Sequence, residues 1–328
     1  MKAVVVSDYG DADKLKLADV TPPSVSEGQV LIKLHFAGIN FTDIYTRKGV
    51  YKKSNTYQNT LPFIPGMEGA GIVEAVGRGV SRVAPGDRVA YCLSLGSYAE
   101  FAIVPEMRVV KVPDDIELRV AAAAILQGCT AHYLTHSLFP LGREHVCLVH
   151  AGAGGVGQIL IQLARLRGSR VLATVGSLTK ARVVTDLGAE VILYQDVDFV
   201  AAVLEATNGQ GVDVVYDNVG KTTFSNSLKC LKRRGTCVLT GGPSGHVESL
   251  DPLELAEAGS LYLTRPHMAD YMSSAEEIAE RASDVFKYIA RGVLKLNIDR
   301  TYPLAEASSA HRDLEGRRTA GKVLLNII

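Results

Sequence analysis

No stretch of this sequence approaches the ~18–20 consecutive apolar residues that a membrane-spanning helix requires. The opening MKAVVVSDYG turns polar within a few residues and reads as a strand and turn, not as a secretion signal. A surplus of either charge is also missing: Lys+Arg and Asp+Glu each number 35, a formal net charge of zero. A dedicated nucleic-acid binder normally carries a basic excess, so the balance argues against that class. The five cysteines, Cys92, Cys129, Cys147, Cys230 and Cys237, form no CxxC pair. An odd number at irregular spacing fits reduced, buried thiols in a cytoplasmic protein. Internal repeats and low-complexity segments are absent.

What is present is ordinary globular material: 328 residues, 47% hydrophobic and 21% charged. That length is long for a single core and predicts two domains. The first 110 or so residues carry strand-like runs (AVVVS, QVLIKLHFAGI, GAGIVEAVG, DRVAYCL, YAEFAIV, RVVKV) separated by Pro, Gly and Asp turns. They read as a β-rich domain with a partly open barrel. From about residue 117 the character changes. ELRVAAAAILQGCTAHYLTH is helix-like, and strands then alternate with helices through SLYLTR. Alternation of near-continuous apolar strands with helices predicts a doubly wound parallel sheet covered on both faces. Beyond Arg265 an amphipathic helix (273–292), another helix and a closing strand are expected.

AGAGGVG (151–157) contains Gly152-x-Gly154-x-x-Gly157 between a predicted strand and a predicted helix. In that context the glycines allow a tight turn, close approach of backbone to a pyrophosphate, and close helix–strand packing. The helix N-terminus offers N–H groups and a positive dipole end to the phosphates. Gly155 and Val156 fall where the pyrophosphate would lie. NAD sites usually place an acid near the end of the second strand, but RVLATVGSLTK (170–180) has none. Gly176, Ser177, Thr179 and Lys180 stand there instead. A carboxylate would repel a 2′-phosphate, whereas hydroxyls and an ammonium would meet it, so NADPH is the expected cofactor.

The β-rich start combined with this loop resembles the medium-chain dehydrogenase/reductase superfamily. GINFTDIYTRKGVY (38–51), VYDNVG (215–220), GSLYLTRP (259–266) and EGRRTAGK (315–322) are similar to its zinc-free, zeta-crystallin-like NADPH:quinone oxidoreductase branch. The resemblance implies an α/β fold: a discontinuous GroES-like catalytic domain (1–122 and 266–328) and a Rossmann domain (123–265), with the cofactor in the cleft between them. It places Phe41, Thr42 and Tyr45 near the nicotinamide, and Asn40, Tyr45 and Tyr51 at the reacting acceptor. Tyr51 is expected to stack on, or hydrogen-bond to, a quinone. Tyr133, Tyr194, Asn218, Thr264, Arg265 and Arg317 are expected to join the cofactor shell, with His267 beside them. A homodimer paired through the last Rossmann strand is implied as well.

The resemblance also implies where a related enzyme would hold zinc, and there this sequence offers Asn40 and Met67 in place of cysteine and histidine. Methionine is a poor zinc ligand. Residues 92–115 hold only Cys92, so the four-cysteine lobe is missing. His132 and His136 share an i, i+4 spacing but lack a metalloprotease glutamate, and read as a helix surface or pocket wall. Glu68, in PGMEGAG (65–71), is then expected to be structural, accepting hydrogen bonds in a turn. Without a Lewis acid, reduction of quinones or conjugated carbonyls is easier to support than alcohol oxidation. A crystallin-like or RNA-binding role is the alternative of another class.

Overall fold

The computed structural model describes residues 1–52, 54 and 59–328. The chain divides into two compact units: Met1–Cys129 together with Tyr271–Ile328, and Thr130–Asp270.

The first unit opens with β1 (Lys2–Val5) and β2 (Lys16–Asp19), an antiparallel pair. β3 (Gln29–Ile39) leads directly into α1 (Phe41–Arg47). β4 (Glu68–Val76), β5 (Arg88–Cys92), β6 (Phe101–Pro105) and β7 (Val109–Lys111) follow. α2 (Leu118–Tyr133) is prolonged by a π-helical turn over Leu134–Leu138, where the sequence predicts uninterrupted helix. The second unit then alternates: β8 (Val146–Val149), α3 (Gly155–Leu166), β9 (Arg170–Val175), α4 (Leu178–Asp186), β10 (Glu190–Leu193), α5 (Phe199–Ala206), β11 (Val212–Asp217), α6 (Phe224–Lys229), β12 (Leu231–Leu239), α7 (Pro252–Glu257) and β13 (Tyr262–Thr264). The chain returns to the first unit with α8 (Ala275–Ala290), β14 (Ile298–Pro303), α9 (Ala307–Glu315) and β15 (Lys322–Asn326).

In the second unit six parallel strands lie in the order β10-β9-β8-β11-β12-β13. The order reverses between β8 and β11, the switch point at which doubly wound sheets receive ligands. Leu148, Leu172, Val203, Val215 and Phe224 share one buried core there, as continuous apolar strands predict. The expected α/β class, with its doubly wound parallel sheet, is what the chain adopts. Among the described residues no helix is long and apolar enough to cross a membrane.

The seven-stranded sheet of the first unit follows the path β14-β15-β3-β4-β5-β7, with β6 also paired to β3. One irregularity in β3 organises this unit. Leu34 faces Gly71 and Phe36 faces Ala70, so His35 is an extra residue opposite β4. An inserted residue reverses the alternation of faces beyond it. Val30, Ile32 and Leu34 enter one core with Val73, Val89 and Tyr91; beyond the insertion Ala37 and Ile39, which the reversal keeps on that same face of the sheet, enter another with Phe63, Tyr98 and Leu325. One strand thus serves two cores, and its second half delivers Asn40 to the start of α1.

Candidate active site

In the first unit the candidate residues gather around α1. Asn40 is its N-cap residue, and the Asn40 backbone N–H donates to Asp43 Oδ2 at 2.8 Å. Phe41 and Tyr45 lie one turn apart with ring centroids 6.1 Å apart, and Tyr51 meets Tyr45 edge-on at 5.9 Å. These three rings form a half-buried aromatic run beside Thr42. Such rings present flat apolar surface with a polar edge, suited to stacking against a planar acceptor.

The Asn40 side chain is engaged at both its oxygen and its nitrogen. Its Oδ1 accepts from Lys322 Nζ at 2.9 Å and from Gln127 Nε2 at 3.3 Å, while its Nδ2 donates to Glu68 Oε2 at 3.2 Å. Lys322 Nζ lies 2.6 Å from Glu68 Oε1, and both side chains are essentially buried. Burial pushes the Glu68 carboxyl above the usual range, and the Lys322 ammonium opposes it. Removing one partner of such a pair costs about 3–5 kcal/mol because a lone charge remains. Glu68 opens β4 instead of sitting in the turn expected for it, but it does accept side-chain hydrogen bonds as anticipated.

Gly38 makes room for this carboxylate. A Cβ at Gly38 would lie 2.0 Å from Glu68 Oε1, and Glu68 is held from two sides and cannot swing away. Gly38→Ala is therefore expected to lower stability by about 1–3 kcal/mol, at the upper end of that span, read as a lower denaturation midpoint at unchanged m-value.

A second buried network lies on the other side of α1. Arg47 donates to His311 Nδ1 at 3.2 Å, to the Gly10 carbonyl at 3.1 Å and to both Glu315 oxygens at 2.9 and 3.0 Å. A guanidinium only donates, so His311 Nδ1 must accept and its Nε2–H must donate to Tyr98, 2.9 Å away. The Tyr98 hydroxyl then donates to Asp43 Oδ2 at 3.2 Å. Burial and the Arg47 charge hold the imidazole neutral, its pKa depressed to about 3. Burial raises the Asp43 carboxyl to about 7 against the opposing Asn40 N–H, Lys322 charge and Tyr98 hydroxyl, with Glu68 adding to the rise.

In the second unit the remaining candidates other than Tyr133 lie at the carboxyl ends of the parallel strands, along one edge of the sheet. After β8, Ala151 takes φ 54, a left-handed conformation that is costly for a non-glycine residue. Gly152 packs on β9, where its Cβ would lie 2.9 Å from that of Ala173. A Cβ at Gly157 would meet the Ala151 carbonyl oxygen at 2.4 Å and the Gly152 backbone at 2.9 Å. Gly154, by contrast, would place a Cβ near only one atom, the Ala151 oxygen at 3.2 Å. Gly154 is also the N-cap of α3 and supplies no side-chain acceptor. The first turn, with Gly155 and Val156, thus presents its N–H groups to whatever anion lies before it.

At the ends of β9 and β10, Tyr194 reaches across Gly176, whose Cβ would lie 2.6 Å from the Tyr194 hydroxyl oxygen. The Ser177 hydroxyl caps α4 by accepting from the Lys180 backbone N–H at 3.3 Å. This spends one lone pair of Ser177 and leaves its hydroxyl hydrogen. After β11, Asn218 Nδ2 donates to the His150 carbonyl at 3.0 Å and its Oδ1 accepts from the Thr240 hydroxyl. Arg265 donates to the Thr240 carbonyl at 2.9 Å, next to Thr264 at the end of β13. Tyr133 is buried at the last position of α2, whereas Arg317 belongs to the first unit, where it follows α9 at φ 58. His132 and His136 stack at 4.0 Å, with His132 buried instead of on a helix surface.

Sequence reasoning did not single out Lys322, Gln127, Asp43, Tyr98 or His311, nor the polar cluster behind the glycine loop. There Ser227 Oγ joins His150 Nε2 at 3.1 Å to Asp217 Oδ2 at 2.8 Å, and Thr174 meets His150 Nδ1 at 2.8 Å. Asp217 Oδ1 also accepts the Val219 and Gly220 N–H groups, each at 2.9 Å, shaping the turn that presents Asn218. A usable signal was present at one position. Lys322 opens the apolar strand KVLLN, and a lysine in a buried strand needs a counter-charge.

Two family models match the chain: an alcohol dehydrogenase GroES-like domain over residues 26–114, and a zinc-binding dehydrogenase over residues 187–325. A quinone oxidoreductase of Pseudomonas aeruginosa is 39% identical over 326 residues, 99% of each chain. A 2-haloacrylate reductase from a Burkholderia species is 38% identical over 98% of each chain. The solved structure of Escherichia coli quinone oxidoreductase complexed with NADPH superimposes with a TM-score of 0.96 at 37% identity, covering 100% of both chains. Identity of this order along the whole length places the relationship beyond the fold alone: the chain belongs to the quinone oxidoreductase family of the medium-chain dehydrogenase/reductase superfamily.

Proposed function

We propose that this protein is an NADPH-dependent quinone reductase that works without zinc. The observation that carries the reading is the glycine loop running into an uncapped α3, in a chain alike from end to end to quinone oxidoreductases. Glycines at 152, 154 and 157 fit a pyrophosphate because only Gly154 leaves open space above the loop. We assign residues 123–265 as the NADPH-binding domain and residues 1–122 with 266–328 as the catalytic domain. Bound NADPH supplies a hydride from its nicotinamide to the acceptor.

The chain's own residues bind and orient. Gly155 and Val156 offer backbone N–H groups to the pyrophosphate. Gly176, Ser177, Lys180 and Tyr194 surround the adenosine phosphate, while Tyr133, Asn218, Thr264, Arg265 and Arg317 complete the cofactor shell. Phe41, Thr42 and Tyr45 orient the nicotinamide, and the Tyr45–Tyr51 edge, with Asn40 behind it, bounds the acceptor. Holding the reacting atoms ~3–3.5 Å apart is the main contribution expected of such a site. One proton accompanies the hydride to convert a quinone to its hydroquinone, and solvent or a tyrosine supplies it.

The residues do not fit zinc. Asn40 and Glu68 are committed to the Lys322 ammonium, a like charge to any metal ion, and Met67 offers only a buried thioether. Among the described residues no group of three or more His, Cys, Asp or Glu side chains could hold a metal. The exposed edge strand β13, with Tyr262 at 63% exposure, suits pairing with a second copy, so a homodimer is part of the proposal. Five free, buried cysteines suit a reducing, cytoplasmic setting.

Lys180→Ala is expected to weaken NADPH binding by about tenfold and to leave NADH nearly unchanged, because a single charge-assisted contact to the 2′-phosphate is lost. Equal losses for both nucleotides would remove the 2′-phosphate assignment. The likeness to the Burkholderia enzyme favours a second reading, reduction of conjugated carbonyls. Comparing kcat/KM for benzoquinone, phenanthrenequinone, 2-haloacrylate and crotonyl-type enals separates the two.

A further inference from the structure

The buried Glu68–Lys322 pair is not explained by stability. Well-packed apolar residues in place of a buried ion pair are commonly as stable or more so. What an ion pair supplies is direction. Lys322 Nζ can only donate and an ionised Glu68 can only accept, so the Asn40 amide between them has one orientation available, Oδ1 toward Lys322 and Nδ2 toward Glu68. Gln127 Nε2 donates to the same Oδ1 and reinforces it. The four side chains come from β4, β15, α2 and the residue that starts α1, so distant parts of the chain converge on one amide. Gly38 is kept clear for the carboxylate. Immediately after Asn40 come Phe41, Thr42 and Tyr45, and the Asn40 backbone is tied into the same turn through Asp43.

We propose that Lys322 and Glu68 are positioning residues for the reduction: their buried pair locks the Asn40 amide and thereby fixes the first turn of α1, which carries the nicotinamide-facing side chains. The inference rests on the reading of α1 given under the proposed function. Neither residue touches the acceptor in this scheme. Their influence is geometric, and misplacement of reacting groups by a fraction of an ångström to one ångström is enough to slow a hydride transfer on the order of 100-fold.

The test uses the full chain carrying Lys322→Met, and the charge-free double variant Glu68→Gln/Lys322→Met, which leaves no lone buried charge and keeps the protein folded. Steady-state turnover with NADPH and benzoquinone, NADPH affinity by fluorescence titration, and the isotope effect with NADPH deuterated at the transferred position are measured together. In both variants kcat is expected to fall on the order of 30–100-fold, NADPH affinity to stay within about threefold, and the isotope effect to rise as hydride transfer becomes limiting. Amide hydrogen exchange over residues 41–47 is expected to accelerate by about tenfold or more, with exchange in α3 unchanged. Wild-type-like kcat in the double variant, or parallel loss of turnover and NADPH affinity, overturns the proposal. If the parent protein fails to oxidise NADPH with any quinone, the functional reading falls. The exchange measurement still decides the positioning claim, and unchanged protection over residues 41–47 ends it.

Discussion

Gly157→Ala is expected to lower kcat/KM for NADPH on the order of 100-fold or more with every acceptor. The added Cβ would lie 2.4 Å from the Ala151 carbonyl oxygen and 2.9 Å from the Gly152 backbone. Neither is a flexible side-chain end, so α3 must move away from the loop that follows β8. The pyrophosphate then loses both the loop's shape and the N–H groups of the first helical turn. A hundredfold loss corresponds to about 2.7 kcal/mol of binding, the scale of one or two hydrogen bonds to a charged group. Gly154→Ala makes the control. Its Cβ meets only the Ala151 oxygen at 3.2 Å, so folding is tolerated while the methyl occupies the open space assigned to the phosphates. Equilibrium unfolding is expected to show Gly154→Ala near the parent and Gly157→Ala destabilised by about 1–3 kcal/mol, with both binding NADPH poorly. NADPH affinity within about threefold of the parent in both would mean that this loop is not the phosphate site.

The second large effect is on stability and depends on pH. Asp43 is fully buried, and its carboxyl titrates at about 7 in the folded chain against 3.8 when unperturbed. Between these values the folded protein holds a proton that the unfolded chain has released. Folding stability attributable to Asp43 therefore falls as pH rises from about 4 to about 7, and the deficit is complete above that. Three pH units of displacement amount to about 4 kcal/mol. His311 and His150 act in the opposite sense. Burial depresses them to about 3 and about 4 from 6.5, so their contribution grows as pH rises toward 6.5. Lys322, Glu68, Tyr98 and the Asn40 N–H are the groups that act on Asp43, and Asp43→Asn leaves all of them in place. The Asn side chain keeps an oxygen to accept from Asn40 N–H and Tyr98. The stability of Asp43→Asn relative to the parent is therefore expected to rise by about 4 kcal/mol between pH 4 and pH 8, by urea denaturation at each pH. A difference that does not change with pH would show that Asp43 ionises as an ordinary surface carboxylate does.

These two sites also show how far the sequence reaches. Gly152, Gly154 and Gly157 are legible because their spacing is local and their strand and helix neighbours are periodic, so backbone physics alone carries the inference. The parallel sheet is legible for the same reason. The division of β3 between two cores was not, because Phe63, Tyr98 and Leu325 reach it only in tertiary structure, and the extra residue at His35 moves its buried positions from even to odd numbers without any change in composition. The partners of Asn40 were not legible either: Lys322 lies 282 positions away, and only tertiary structure brings it to the start of α1. Glu68 illustrates the intermediate case. Met67 beside it and the missing cysteine partners argue against a metal ligand and for a structural acid, but the counter-charge that makes a buried carboxylate tolerable comes from the far end of the chain. His311 and Tyr98 escaped attention because a lone histidine and a lone tyrosine carry no spacing signal, and their roles follow only from the direction of donation imposed by Arg47.

The most direct measurement is the initial rate of NADPH and NADH oxidation by the purified chain with benzoquinone, before and after dialysis against a zinc chelator, with metal content determined on the same sample. The account predicts turnover with NADPH that exceeds NADH by about tenfold or more in kcat/KM and is unaffected by the chelator. Failure to oxidise either nucleotide with any quinone or enal, or activity that disappears with the chelator and returns with zinc, would contradict it.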